Sequence, residues 1–369
     1  MTAIEDERGP DPRRMAELLC GYCLDVTTGA QVLVRSTALA APLLLEIQRE
    51  VLTRGAWPLL RTELPGELEG FYTHALDEQI DGHPAVAMLE ARAIDRRLAI
   101  QAPANTRALA GVDPQRLARA TKARAEIFEA SDARWCSTLW PTDALAQQAG
   151  MSLHDYAAFV CRALLLDRPD PVQAWRELSV RQAQLIERLA GAREVHILAE
   201  GTDLRLRVDE RTWINSDGRR NMPSGEVFTG PIEDSAEGRI SFNVPTGPAG
   251  VTVSGVELEL RGGEVVRARA REGEDYLHRM LASDDGARRL GELGIGTNDS
   301  IDRPTGTVLL DEKIGGTVHV ALGRSYTETG GRNESALHWD LICDLRGGGT
   351  LSADGELVQS DGRFVDLAA

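Results

Sequence analysis

Two rhythms of apolar and polar positions divide this chain. Up to about residue 190, short apolar runs alternate with stretches in which apolar side chains recur every three or four residues. The runs at 31–35 (Gln-Val-Leu-Val-Arg), 57–62, 94–100 and 135–140 read as strands, the first of a buried type. Helical spacing appears at 13–25, 41–54, 66–79, 84–92 and 113–130, the first of these carried by Met15, Leu18, Leu19, Tyr22 and Cys23. Three more helices, at 142–150, 153–166 and 171–190, close this half. Strands alternating with helices predict an α/β domain with a mostly parallel sheet.

Beyond residue 194 the period drops to two. Strand-like runs at 194–198, 202–208, 240–244, 252–260, 265–270, 317–322, 337–345 and 350–359 are separated by Gly, Pro and Asp clusters. Helices are expected at 273–282 and 287–293. This half reads as an α+β domain on a mostly antiparallel or mixed sheet. With Gly191-Ala192-Arg193 as the linker, the division expected is 1–190 and 191–369.

Charge narrows the range of functions. A formal net charge of −16 and a pI of about 5.0 argue against nucleic acid and anionic membrane as partners. An acidic cleft instead suits divalent cations or an ammonium group. No apolar stretch is long enough to span a membrane, and the first fourteen residues are polar and acidic, without the apolar core of a signal peptide. The five cysteines are odd in number and scattered. A cytoplasmic location is the expectation.

Few residues are candidates for chemistry. His338-Trp339-Asp340 sets an imidazole and a carboxylate at i and i+2, on one face of a strand. His319 lies in a second strand-like run, Thr-Val-His-Val-Ala-Leu-Gly. Together they are donors suited to Zn²⁺, Co²⁺, Mn²⁺ or Fe²⁺. Glu226 stands in Asn-Met-Pro-Ser-Gly-Glu-Val-Phe-Thr-Gly, where Pro223 and Gly225 stiffen the backbone; a solvated turn carboxylate is the plainer alternative. Glu292 ends the short helix and enters a glycine-rich turn, and Tyr326 offers a phenol to a developing oxyanion.

Other signals point to structure. Cys20 and Cys23 fall on an apolar helix and read as core, His196 as a residue packed at a sheet edge, Lys313 and Arg324 as solvated charges, and 262–263 and 347–349 as hairpin turns. Thr229, Gly230, Pro231 and 233–235 lie close enough to Glu226 to shape its surroundings.

The runs 221–233, Gly291-Glu292, 311–326 and 338–340 closely resemble the aminopeptidase T family of metallopeptidases, also labelled leucyl or thermophilic aminopeptidases, in a shorter branch. Residues 24–34 resemble that family's first domain. The resemblance implies an N-terminal α/β domain, a C-terminal α+β metal-binding domain, a homodimer, and hydrolysis of the N-terminal residue of peptides or small amides. It implies two divalent ions (Zn, Co, Mn or Mg) held by Glu226, Glu292, His319, His338 and Asp340, with Glu292 and Tyr326 catalytic. Relatives of that family include non-haem iron dioxygenases that open dihydroxypyridine rings. On that alternative His319, His338 and Asp340 hold a single Fe(II), and Glu226 and Glu292 are free for other work.

Overall fold

The computed structural model describes residues 9–247 and 250–366; residues 1–8, which hold most of the polar N-terminal segment, lie outside the described residues. In chain order the strands are β1 (Gln31–Thr37), β2 (Trp57–Glu63), β3 (Arg96–Gln101), β4 (Arg134–Leu139), β5 (Glu194–Ala199), β6 (Thr202–Arg207), β7 (Ile214–Ser216), β8 (Asn221–Met222) and β9 (Glu226–Thr229). They continue as β10 (Glu237–Phe242), β11 (Val256–Arg261), β12 (Glu264–Arg269), β13 (Leu290–Gly296), β14 (Thr317–Gly323), β15 (His338–Asp344), β16 (Thr350–Ala353), β17 (Glu356–Ser360) and β18 (Arg363–Phe364).

Two compact units make up the chain. One holds the described residues up to Arg176 together with Gly218–Ser224; the other holds Glu177–Asp217 and the described residues from Gly225 onward. The units part between Arg176 and Glu177, within the helix Pro171–Leu189, whereas the sequence pattern draws its boundary after residue 190.

The first unit is built on a parallel sheet in the order β2-β1-β3-β4-β8. β1 lies inside it, which is why Val32, Leu33 and Val34 form an unbroken buried run. The crossover from β1 to β2 is the helix Ala41–Thr53, whose Leu43, Leu44, Ile47 and Val51 are buried at helical spacing. The helix expected over 66–79 is two, Glu67–His74 and Asp77–Ile80, because Ala75 and Leu76 are extended between them. Cys20, Cys23 and Cys136 are free and buried.

The second unit carries two antiparallel sheets. Eight strands run β12-β11-β10-β6-β5-β16-β17-β18, and five run β15-β14-β13-β9-β7. One core joins them, with Ile197, Leu204, Ile240 and Leu258 from the larger sheet and Leu293, Ile295, Val318, Val320 and Leu341 from the smaller. β6 alternates buried and exposed positions, as a half-solvated strand should. In β13 and β14 every position is buried, so period two disappears from the sequence.

That burial explains the main departure from expectation. Residues 287–293 do not form a helix; Leu290 and Glu292 belong to β13, and the three-residue spacing of Leu290 and Leu293 imitated a helical stripe. The short strands β7, β8 and β9 had no visible period at all. His196 is not at a sheet edge: β5 lies between β6 and β16, and the imidazole pairs with Asp203 at 2.8 Å. The glycines at 347–349 are not a hairpin, since they carry the chain from β15 in one sheet to β16 in the other. No helix among the described residues is long and apolar enough to cross a membrane.

Candidate metal centre

Register places the candidate residues on one face of the five-stranded sheet. Glu292 and Asp340 both lie opposite Ala321, from the two sides of β14. Two residues along, His319 faces Gly294; two the other way, Gly323 faces His338. Glu226, the first residue of β9, lies opposite Gly296, which shares a face of β13 with Glu292 and Gly294. Five acid and imidazole side chains thus share a sheet face, and Gly294 leaves the space that the His319 ring occupies.

Each carrier is held by its surroundings. Gly225 has φ +114°, and a Cβ there would lie 2.7 Å from Asn298 Cβ, so the chain enters β9 through a position that admits only glycine. Glu226 is therefore a buried strand residue, not a solvated turn carboxylate. The side chain of Gln182, itself buried, donates to the Glu226 carbonyl at 2.5 Å. His338 donates Nδ1–H to the Arg324 carbonyl at 2.8 Å, which leaves Nε2 as the atom turned to the centre.

The charged atoms form a relay. Lys313 Nζ lies 2.8 Å from Glu226 Oε1, and Glu226 Oε2 lies 3.5 Å from His319 Nε2. That nitrogen is 3.3 Å from Glu292 Oε1, while Glu292 Oε2 is 3.5 Å from His338 Nε2. His338 Nε2 is also 3.5 Å from Asp340 Oδ1, the i, i+2 pairing expected from the sequence. Glu292 stands between the two imidazoles with one oxygen toward each.

Lys313 is not a solvated charge. Its side chain is fully buried and its ammonium bridges Glu226 and Glu312. Neither Lys313 nor Glu312 was singled out as part of the centre by sequence; the available signal was the short Asp-Glu-Lys turn six residues ahead of His319. Arg324 is exposed, as expected.

Burial governs the protonation of this cluster. It pushes the Glu292 carboxyl up, although both imidazoles pull it down. It also pushes Glu312 up to about 8 against the pull of Lys313. Burial opposes charge on the imidazoles, yet the carboxylates outweigh it. Glu292, Glu226 and Asp340 raise His319 to about 9, and Asp340 and Glu292 raise His338 to about 10. Asp340 is held well below the usual carboxylate range: burial raises it, but His338 and His319 more than offset that.

These residues fit a divalent cation. Glu226 Oε2 and Asp340 Oδ1 are buried without a hydrogen-bond partner, which a protein rarely tolerates unless something else satisfies them. Two groups of donors, Glu226 with Glu312 and His319, and Glu292 with His319 and Asp340, each bring their ligand atoms within 4.8 Å of one another. Carboxylate oxygen and imidazole nitrogen are the donors such ions take.

Tyr326 stands at the edge of this cluster, 37% exposed, its ring 5.2 Å from that of His338 and 5.6 Å from that of Phe228. The loop that follows it is tied down by Glu233, which pairs with Arg211 at 2.7 Å and accepts from the Arg332 amide at 2.7 Å. Glu233 therefore acts on the Tyr326 loop, while the Thr229 hydroxyl donates to the Thr212 carbonyl.

Comparison with known proteins bears on this arrangement. The family model for thermophilic metalloprotease (M29) matches residues 11–364. Aminopeptidase 2 of Geobacillus stearothermophilus is 29% identical over 95% of this chain and 94% of its own length. Aminopeptidase T of Thermus thermophilus is 30% identical over 67% of this chain and 69% of its own. Among solved structures, wild-type AmpT from Thermus thermophilus superposes with a TM-score of 0.81 at 23% identity, covering 96% of this chain and 99% of that one. The 2,5-dihydroxypyridine dioxygenase of Pseudomonas putida KT2440 shares the fold more distantly, with a TM-score of 0.57 at 14% identity over 96% of this chain and 97% of that one.

Proposed function

Given that the chain belongs to the thermophilic metalloprotease (M29) family, we propose that its metal-dependent aminopeptidase activity resides in the centre formed by Glu226, Glu292, His319, His338 and Asp340. We read that centre as holding two divalent ions, with Zn, Co, Mn and Mg as the candidates. The observation that carries this reading is a pair of donor groups, Glu226 with Glu312 and Glu292 with Asp340, that share His319, with Glu292 setting one carboxylate oxygen against each histidine.

Bound there, the ions would activate a water and polarise the scissile carbonyl. Glu292 takes the proton of the attacking water and returns it to the leaving amine nitrogen. Its raised affinity for a proton suits it to hold one between those events. Tyr326 donates its phenolic hydrogen to the carbonyl oxygen as negative charge gathers there. Burial, with Glu292 and Asp340 nearby, pushes that phenol up, so it keeps its proton at neutral pH. The excess of carboxylates attracts the free ammonium of a peptide N-terminus. A homodimer and a cytoplasmic location complete the proposal.

The test is a metal-free preparation reconstituted with Co²⁺, Zn²⁺, Mn²⁺ or Mg²⁺ and assayed on aminoacyl p-nitroanilides and short peptides. Two ions per chain and release of N-terminal residues are expected. One iron per chain, with oxygen uptake on a dihydroxypyridine and no amide hydrolysis, would sink the reading.

A further inference from the structure

Lys313 is a charged group at the heart of this centre that the hydrolytic steps above do not use. Its ammonium lies 2.8 Å from Glu226 Oε1 and against Glu312 Oε1, with no part of the side chain exposed. With Oε1 engaged, Glu226 turns Oε2 toward the centre, 3.5 Å from His319 Nε2 and without a hydrogen-bond partner. The two donor groups that share His319 are therefore unlike. In Glu226, Glu312 and His319 both carboxylates touch the ammonium; in Glu292, His319 and Asp340 neither does.

From this geometry we propose that Lys313 is a resident cation of the metal centre. It positions Glu226 and Glu312 as one-oxygen donors of a second, weaker ion site, and it holds that site folded when no metal is present. The inference rests on the metallo-aminopeptidase reading and adds Lys313 to the centre as the residue that positions Glu226 and Glu312. The physical reason is charge balance in a dry site. Two buried carboxylates side by side repel unless a cation stands between them. The ammonium supplies that cation permanently, so a divalent ion entering beside it meets a like charge and a pair of carboxylates already partly neutralised. The site of Glu292, His319 and Asp340, joined by His338, holds no permanent cation, since imidazole protons leave when the nitrogen takes a metal, and it binds first.

Co²⁺ titration of the metal-free full-length chain, followed by visible absorption and by heat, tests this without recourse to turnover. Wild type should show two classes of site differing by about tenfold or more in affinity. In Lys313→Met the weaker class should tighten by about tenfold while the stronger stays within about threefold of wild type. The same variant should melt at lower temperature without metal and recover with Co²⁺. If it does not survive metal removal, its affinities are read by chelator competition from the Co²⁺-loaded protein. Glu312→Gln, which keeps the shape of the side chain, should retain the stronger class and lose the weaker. A merely structural lysine would lower the melting temperature with and without Co²⁺ alike and leave both affinities unmoved. Two equal sites in wild type, a weaker second site in Lys313→Met, or two wild-type sites in Glu312→Gln would each overturn the proposal. A chain that binds no Co²⁺ at all overturns the metal-centre reading beneath it.

Discussion

Gly294 stands directly across the β13–β14 pair from His319, and a Cβ built on it would lie 2.1 Å from the imidazole Nε2. The ring occupies the space that any other residue's side chain would take. Gly294→Ala should leave a folded protein whose imidazole is displaced from both donor groups. Metal affinity is expected to fall about 10–100-fold, the range seen when the orientation of a ligand is lost, with activity falling at least as far. Circular dichroism together with metal content per chain checks this; full occupancy and wild-type turnover would refute it.

Glu292 is asked to serve both imidazoles and the proton. Glu292→Gln keeps the shape and removes the charge and the basicity. The expected result is a loss of about 10²–10⁴ in kcat, typical of a removed general base, accompanied by reduced metal content. An unchanged kcat in a fully loaded variant would move the proton-transfer role elsewhere.

Tyr326 separates binding from catalysis. Tyr326→Phe preserves the ring contacts with His338 and Phe228 and removes only the hydroxyl. Metal stoichiometry and KM should stay near wild type while kcat drops about 10²–10³-fold, as for the loss of one oxyanion donor. Steady-state kinetics on the metal-loaded variant decides the point.

Proton release should accompany metal uptake. In the metal-free protein His319, raised to about 9, and His338, raised to about 10, carry protons at neutral pH. Both lie above the ordinary value of 6.5, so their ionic contribution to stability is complete below that pH and fades as pH rises through about 9–10. Ligation requires the neutral imidazole, so filling the centre at pH 7 should release about two protons from the histidines and about one more from Glu312, which burial pushes up to about 8, and apparent affinity should climb by about tenfold per pH unit for each proton displaced. Calorimetry in buffers of different ionisation enthalpy measures the number; a titration that releases none would contradict the arrangement.

Much of the fold was legible because burial and period coincide there. β1 is a buried apolar run bounded by turn formers, and the helix between it and β2 shows its buried stripe in Leu43, Leu44, Ile47 and Val51. His338 and Asp340 could be placed on one face because the i, i+2 rule needs only a strand. β13 could not be read in this way. All seven of its positions are buried, and its glycines answer close neighbours, not a turn: the His319 ring at Gly294 and backbone carbonyls at Gly291 and Gly296. Lys313 was misjudged for the same kind of reason. A lysine is normally solvated, and only the three-dimensional coincidence of Glu226 and Glu312 makes a dry ammonium stable.

Glu226, Glu292, His319, His338 and Asp340 were chosen from local motifs, and local motifs carry residue type and spacing along the chain. Their chemistry, oxygen and imidazole donors of the kind divalent ions take, is legible at that level. Their assembly is not, because they span more than a hundred residues and four strands. Antiparallel register alone puts Glu292 and Asp340 opposite the same Ala321, brings His319 against Gly294, and turns Glu226 inward beside Gly296. That register is set by long-range pairing and by the shared core beneath the sheet, and no stretch of sequence contains both partners of such a pair.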